Sequence, residues 1–552
     1  MSAFLKIIRR HKFEIVFFLL LFLFSNILMW KTLHLSGGDL VIATKAWSDF
    51  SANIPVIRSF SFGSNFPPQY PLFAGPPIRY HFVFYALVGI LEKSGIPLDY
   101  ALNGLSVIGF FGLLLLIYYF AFKILKKRAA ATLSVIFFLF NGSLGFLEFF
   151  SKNPLGTLTI VKILNNQEFS SFGPFDGKIV SAFWNLNIYT NQRHLALGYL
   201  FLFLILLFIY IFQNKPAIFS DKRAVFLGVL IGIFPFVHLS TFVMTVISLL
   251  IFFIFFKELR RGLLITLIVT GILALPQFLY MGLPQNKVAL INPGYLIDQL
   301  SVGSFVSYWF YNLGFTILTA PLGFILISRK YKIFFMPFIV FFIIGNLFQF
   351  TPSIIDNHKF FNAFIIAANM LSAYLLVFLW HKYNWTKILA VTLFIMLTFS
   401  GLIDLFPILN DRNLVLNDLP KNKTAEFISK NTPPYSVFLN SSYIFDAASI
   451  AGRKIYLGWP YFPWSLGYDV DSRRENLISI LNSSDKNFVC NFLHNEGVDY
   501  MEIHNPAVIE RTNIDYQFFE NNFVEIYRKD NQLMIYDLSK SCNYSNSAQQ
   551  LR

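Results

Sequence analysis

Long apolar runs separated by short polar breaks fill the chain as far as Phe406. They lie near residues 12–31, 101–123, 129–149, 194–213, 224–238, 239–256, 262–281, 310–328, 332–350, 360–380 and 386–405. Crossing a bilayer as a helix takes roughly 20 apolar residues, so the pattern predicts eleven spans, counting two short ones. The breaks carry basic clusters: Lys123, Lys126, Lys127 and Arg128; Lys215, Lys222 and Arg223; Lys257, Arg260 and Arg261; Arg329, Lys330 and Lys332; Lys382 and Lys387. With the N-terminus inside, alternation places every cluster in the cytoplasm and leaves the external loops poor in Lys and Arg. The aromatic segment from Tyr80 to Leu91 is short for a span. Were it to cross, the Lys123–Arg128 cluster would lie outside, so it is expected to lie along the outer surface. Pro235 and His238 interrupt the run from 224 to 256. A tight hairpin of two short helices is expected there, because proline in lipid leaves backbone groups that protein must satisfy.

Beyond Phe406 the pattern changes. Residues 412–552 are polar, with strand-like patches at 436–440, 454–459, 498–504, 523–528 and 533–538 and helical stretches at 424–430 and 473–482. Alternating strands and helices predict a small α/β domain, and an odd number of crossings puts it outside. The expected fold class is a polytopic α-helical membrane protein with a C-terminal extracytoplasmic α/β domain. The expected division is a multi-span domain over 1–411 with an external loop at 32–100, the α/β domain at 412–540, and a disordered tail at 541–552.

Composition narrows the class. Of 552 residues 55% are hydrophobic and 13% charged, with 68 phenylalanines, which excludes a soluble enzyme. A net charge of +14 would point to nucleic acid in a soluble protein. Here the basic residues sit at the ends of apolar runs, and none interleaves with aromatics, so no nucleic-acid partner is expected. Lys6, Arg9, Arg10 and Lys12 flank the first run, no small-residue cleavage site follows it, and a retained signal anchor is the reading. Cys490 and Cys542 both fall on the outer side, where a disulfide is allowed, although no spacing supports one. There is no CxxC, HExxH, P-loop or GxSxG, so no dedicated metal motif is present, and a divalent cation is left open as the cofactor.

The stretch Trp47–Phe82 carries the candidate chemistry. Asp49 opens a short amphipathic segment, a turn follows at Gly63–Pro68, and Gly75-Pro76-Pro77 leads to Tyr80. An acceptor hydroxyl needs a nearby carboxylate to take its proton or orient a metal, and Asp49 is the first candidate, although it could merely cap a helix. Asp39, in Ser-Gly-Gly-Asp, is the competing acid. Gln192, Arg193 and His194 start the span near 194–213. Arginine there suits bidentate phosphate binding, or simple snorkelling. Asp356, Asn357, His358 and Lys359 crowd a short external loop, where Lys359 and His358 could hold a phosphate oriented by Asp356. His238 and Arg453 complete the substrate-binding candidates with Tyr80. The former also reads as a structural histidine. The latter precedes an aromatic stretch, Trp459–Trp464, that is either the small domain's core or its face toward a sugar site.

The order Ser48-Asp49, Gly63-Ser64-Asn65-Phe66 and Pro76-Pro77-Ile78-Arg79-Tyr80 resembles the first external loop of GT-C membrane glycosyltransferases, in particular protein O-mannosyltransferases and aminoarabinose transferases. Those have an acidic pair after the first span, then a Gly-[Asp/Asn]-aromatic turn and Pro-Pro-Leu-x-Tyr. The resemblance implies a sugar transferred from a polyprenyl-phosphate carrier to a glycan, lipid or protein acceptor of the envelope. Asp49 would serve as general base with inversion at the anomeric carbon, and Lys359 and Arg193 would steady the departing phosphate. Two features depart from the family: the acidic pair is one acid here, and the second acid often found near Arg193 is missing, which puts metal binding in question. A transporter or non-catalytic assembly factor is the rival reading. A transporter is expected to show inverted repeats, broken helices and ionisable groups near the midplane.

Overall fold

In the computed structural model, which describes residues 11–170, 181–282 and 290–542, the apolar runs fold as helices. Seven are long and apolar enough to cross a membrane: Lys12–Thr32, Leu98–Leu125, Arg193–Asn214, Lys257–Met281, Arg329–Leu347, Ile354–Lys382 and Asn384–Leu409. Val302–Leu313 and Thr316–Leu326 form a pair bent by 86°, which makes eight if it is one broken span. The count falls short of eleven because three predicted runs form shorter helices, Arg128–Leu139, Asp221–Gly232 and Leu239–Phe255. The last two flank the break at Pro235 but do not pack as the expected hairpin: Asp221–Gly232 lies against Arg260–Met281, and Leu239–Phe255 against Arg193–Asn214. The chain is a multi-pass membrane protein. The basic residues Lys6, Arg9 and Arg10, and the tail from residue 543, lie outside the described residues.

The segment after Tyr80 is an 11-residue helix, Val83–Lys93. At 1.5 Å per residue it is about 16 Å long, half a hydrocarbon core. It lies against the helix Trp47–Ser61, with no room for a side chain at Gly89, whose Cβ would stand 2.4 Å from the carbonyl of Ile57.

Two sheets flank the bundle. β1 (Leu33–Ser36) and β2 (Asp39–Ala43) form a hairpin through Gly37 and Gly38, both at positive φ. β3 (Asn413–Asn417), which follows the last span, pairs antiparallel with β2, Val41 opposite Val415. The chain thus ties the exit of its first span to the exit of its last. The second sheet has the order β5-β4-β6-β8-β7, built from β4 (Val437–Leu439), β5 (Lys454–Ile455), β6 (Tyr500–His504), β7 (Val524–Lys529) and β8 (Leu533–Asp537). All five predicted strand patches are present. Cys490 and Cys542 form a disulfide, with Cα atoms 5.6 Å apart. It joins the helix Lys486–Asn495 to the segment after β8, a proximity that spacing alone did not disclose.

The first loop and the C-terminal domain share one hydrophobic core, which takes in Ile57, Leu72 and Phe84 with Tyr456, Tyr468 and Tyr536. Polar clamps reinforce it. The Arg58 guanidinium is buried against Asp418 at 2.6 Å and Glu92 at 3.3 Å. Burial raises the Glu92 carboxyl above its usual range, and Arg58 opposes that rise. Gly63 and Gly452 meet backbone to backbone: a Cβ on Gly452, which has φ +80°, would stand 2.5 Å from the Arg58 carbonyl and 2.7 Å from the Gly63 amide. Only glycine fits such a contact at that φ.

Candidate active site

Asp49 stands in the first turn of the helix Trp47–Ser61. The helix is held by its surroundings more than by its own sequence. Asp411, after the last span, accepts from the Lys45 amide at 2.7 Å, from Thr44 Oγ1 at 2.7 Å and from Lys45 Nζ at 3.0 Å. These contacts fix the segment entering the helix. At its far end Asn65 organises the Gly63–Pro68 turn, donating to Gln69 O and Ser59 Oγ while accepting from the Gln69 amide. The asparagine of the Gly-x-Asn-aromatic pattern is therefore a turn-former. Pro77 and Arg79 dock on the α/β domain through Tyr468, whose hydroxyl donates to Pro77 O at 2.8 Å and accepts from the Arg79 amide at 2.9 Å.

The helix forms one wall of a cavity of about 680 Å³ at the end of the bundle that faces the α/β domain. Its lining includes Asp49, Lys45, Tyr80, Gln192, Asp356, His358 and Lys359, with Tyr461 and Phe462 from the α/β domain. The structure thus brings together Asp49, Lys359 and the aromatic stretch of the C-terminal domain. Lys359 Nζ donates to Asp356 Oδ1 at 2.8 Å, and Asp356 Oδ2 accepts from Thr351 Oγ1 at 2.9 Å. Tyr461 reaches the rim of the same loop, its hydroxyl 3.2 Å from Ser353 Oγ. The Asp49 carboxylate accepts no hydrogen bond from a described residue. Burial pushes its pKa up to about 6; Lys359 pulls it down and Asp356 pushes it up. At neutral pH it is largely ionised, yet far more basic than an exposed aspartate, the condition for a general base.

Other candidates lie elsewhere. Arg193 does not line the cavity. Its guanidinium is buried behind the wall, donating to Met29 O at 3.0 Å, to Thr32 Oγ1 and to Thr190 O. It caps the C-terminal turn of the first span, where carbonyls lack intrahelical partners. Arg453 is likewise spent on carbonyls, those of Ser429, Thr432, Ala451 and Phe62. Asp39 pairs with Lys421 at 2.8 Å on the β1–β2 hairpin and does not line the cavity. Asn357 donates to Gly345 O and Phe348 O and holds the loop in shape.

His194 and His238 are placed together, with a residue the sequence reading passed over, His81. His194 shares hydrogen bonds with the Tyr85 and Tyr80 hydroxyls, 2.7 Å from Nδ1 and 3.1 Å from Nε2. His238 caps the helix Leu239–Phe255, its Nδ1 accepting from the Thr241 amide at 3.3 Å. Burial, then His194, His238 and Lys359, hold the His81 ring well below the usual histidine range, so it is neutral. Three of the chain's nine histidines stand at the same end of three apolar segments, and that was the available signal. Glu168 also lines the cavity and went unremarked.

No family profile and no curated protein matches the sequence. Solved structures do match its fold. The apo structure of ArnT from Cupriavidus metallidurans superposes with a TM-score of 0.51 at 11% identity, over 97% of this chain and 100% of that one. The same ArnT bound to undecaprenyl phosphate gives 0.50 at 10% identity, over 95% and 98%. The mycobacterial arabinofuranosyltransferase AftD gives 0.54 at 10% identity, over 94% of this chain but 40% of that larger one. The likeness runs over nearly the whole of this chain: the chain has the GT-C fold.

Proposed function

We propose that the protein is an integral membrane glycosyltransferase that moves a sugar from a polyprenyl-phosphate carrier to an envelope acceptor on the outer face. One observation carries the reading: a carboxylate free of hydrogen bonds from described residues, Asp49, lies in the wall of a cavity that also presents the Lys359 ammonium. Asp49 takes the proton of the acceptor hydroxyl. The acceptor oxygen attacks the anomeric carbon, and the carbon–oxygen bond to phosphate breaks with inversion. The electron pair leaves on the polyprenyl phosphate, whose charge Lys359 stabilises. Lys45 takes the second cationic place that Arg193 was expected to fill. The aromatic pair Tyr461 and Phe462 gives a sugar a stacking surface. A lipid-phosphate donor agrees with the undecaprenyl phosphate bound by ArnT, and the reading places the α/β domain outside with the N-terminus inside.

The rival, a transporter, gains the bent pair Val302–Leu313 and Thr316–Leu326. Neither helix lines the cavity, however, and the charged groups sit at one end of the spans. Lipid mass spectrometry of membranes with and without the protein tests the reading. Its loss is expected to accumulate a polyprenyl-phosphate sugar, and reintroducing wild type but not Asp49→Asn is expected to clear it. Clearance by both proteins would remove the base mechanism, and no accumulation at all would remove the transferase.

A further inference from the structure

His81, His194 and His238 come from the loop before Val83–Lys93, the first turn of Arg193–Asn214 and the cap of Leu239–Phe255, yet they meet in one buried cluster. They are 3%, 2% and 0% exposed. Ring centroids lie 4.5 Å apart for His81 and His194, 4.6 Å for His81 and His238, and 5.2 Å for His194 and His238. Each ring offers a nitrogen within 4.8 Å of the others. Nε2 of His81 and Nε2 of His238 are buried without a hydrogen-bond partner among the described residues. Buried ring nitrogens are normally paired, and leaving two unpaired side by side is costly. The packing nonetheless makes room for them. A Cβ on Gly198 would stand 2.8 Å from the His238 ring, so the helix Arg193–Asn214 admits that ring only because residue 198 is glycine.

We propose that this cluster is a binding site for a divalent transition metal of the zinc class, held by His81, His194 and His238. Three imidazoles and no carboxylate form a borderline-soft nitrogen set that suits Zn²⁺, Co²⁺, Ni²⁺ or Cu²⁺. Mg²⁺ and Ca²⁺ require oxygen ligands. A tetrahedral zinc ion with Zn–N near 2.0–2.1 Å brings its nitrogens to about 3.3 Å from one another, so the rings need close by only about 1.5 Å or less. His81 and His238 supply their unpartnered Nε2 atoms. At His238 the ring proton then moves to Nδ1, and the long 3.3 Å contact from the Thr241 amide is exchanged for the metal bond. At His194 one tyrosine contact gives way to the metal and the other remains as the outer partner that orients the ring, as ligating histidines commonly require. The shorter contact, to Tyr85, is the one retained. Tyr80 touches His194 and also lines the cavity, so the fourth coordination position opens toward that wall. The site follows from the cluster alone and does not depend on the transferase reading.

The test uses the full-length protein in detergent, with any affinity tag removed, stripped with a chelator and then exposed to Zn²⁺ alone before dialysis and elemental analysis. One zinc per chain is expected, displaced by Co²⁺ with the visible bands of a tetrahedral nitrogen-ligated ion and untouched by excess Mg²⁺. His81→Ala and His238→Ala are expected to weaken binding by at least about 100-fold, and Tyr85→Phe by about 10–100-fold, the usual effect of losing an outer partner. His81→Gln serves if the alanine variants do not fold. Wild-type protein that retains well below one zinc per chain overturns the proposal. So does zinc retained at full stoichiometry when His81 and His238 are both replaced.

Discussion

Replacing Asp49 by Asn separates the two things its environment does. The carboxyl's pKa rises from 3.8 to about 6, burial being the largest cause. That rise corresponds to about 3 kcal/mol. Between those two values the folded state holds a proton that the unfolded state has lost. Stability therefore falls as pH rises from about 4 to about 6, and above that the full cost of the buried charge is present. Because Asp49 is only partly buried, solvent screening makes 3 kcal/mol an upper bound. Asp49→Asn keeps the shape and removes the charge. The variant is expected to unfold at a higher temperature than wild type at pH 7.5, with a gain about a third as large at pH 4.5, as measured by thermal unfolding in detergent. Turnover should move the other way. Wild-type activity is expected to rise roughly tenfold between pH 5 and pH 7 as the carboxyl ionises through about 6. Asp49→Asn is expected to lose about 10²–10⁴-fold at pH 7 while still binding donor. A variant no more stable than wild type at pH 7.5, or an equal gain at both pH values, would refute the burial argument. Full activity in the variant would refute the base.

Other substitutions probe the frame and the charges. Gly452→Ala places a Cβ 2.5 Å from the Arg58 carbonyl at a positive φ, and is expected to loosen the α/β domain from the first loop, read as faster proteolysis between them. Arg58→Met strands the buried carboxylates of Glu92 and Asp418 and is expected to cost about 3–5 kcal/mol, read by thermal unfolding. Cys490→Ser opens a disulfide that closes 52 residues of chain, a loss of about 4 kcal/mol on the loop-entropy scale, read by denaturant unfolding of the purified protein. Lys359→Ala is expected to weaken donor binding as well as turnover, whereas Asp39→Asn, which breaks a half-exposed ion pair, should alter activity by less than twofold.

Strands, the longer spans and the acid that lines the cavity were legible in the sequence because each leaves a one-dimensional trace. The five strand patches are short runs rich in apolar and aromatic residues between polar turns, the spans are long and apolar, and Asp49 stands alone among apolar and small residues. Arg193 and Arg453 were misread for a common reason. Each donates to carbonyls at the C-terminal turn of another helix, Lys12–Thr32 for Arg193 and Lys423–Asn431 for Arg453. A helix C-terminus presents a partial negative charge and unpaired oxygens, so to an arginine it offers much of what a phosphate does. Sequence alone shows the cation and not which anion-like partner the fold supplies. The histidine cluster was hidden for a different reason. Its members lie far apart in sequence, and only the packing of three segments around Gly198 brings them together.

In the proposed reaction the cavity's charges let one acid serve where the resembled families have a pair. Lys359 acts on two carboxylates at once: it is hydrogen-bonded to Asp356 and lowers the pKa of Asp49 from across the cavity. A phosphate entering the site competes for that ammonium. As the phosphate's negative charge is matched by Lys359, less of the cation's field reaches Asp49, and the carboxylate becomes a stronger base just when a donor is present. Asp356 then has a definite task. In the proposed reaction it holds Lys359 at the cavity wall ready for the donor, and Thr351 holds Asp356 in turn through a 2.9 Å hydrogen bond. The acid that positions the cation and the acid that takes the proton are, in the proposed reaction, different residues.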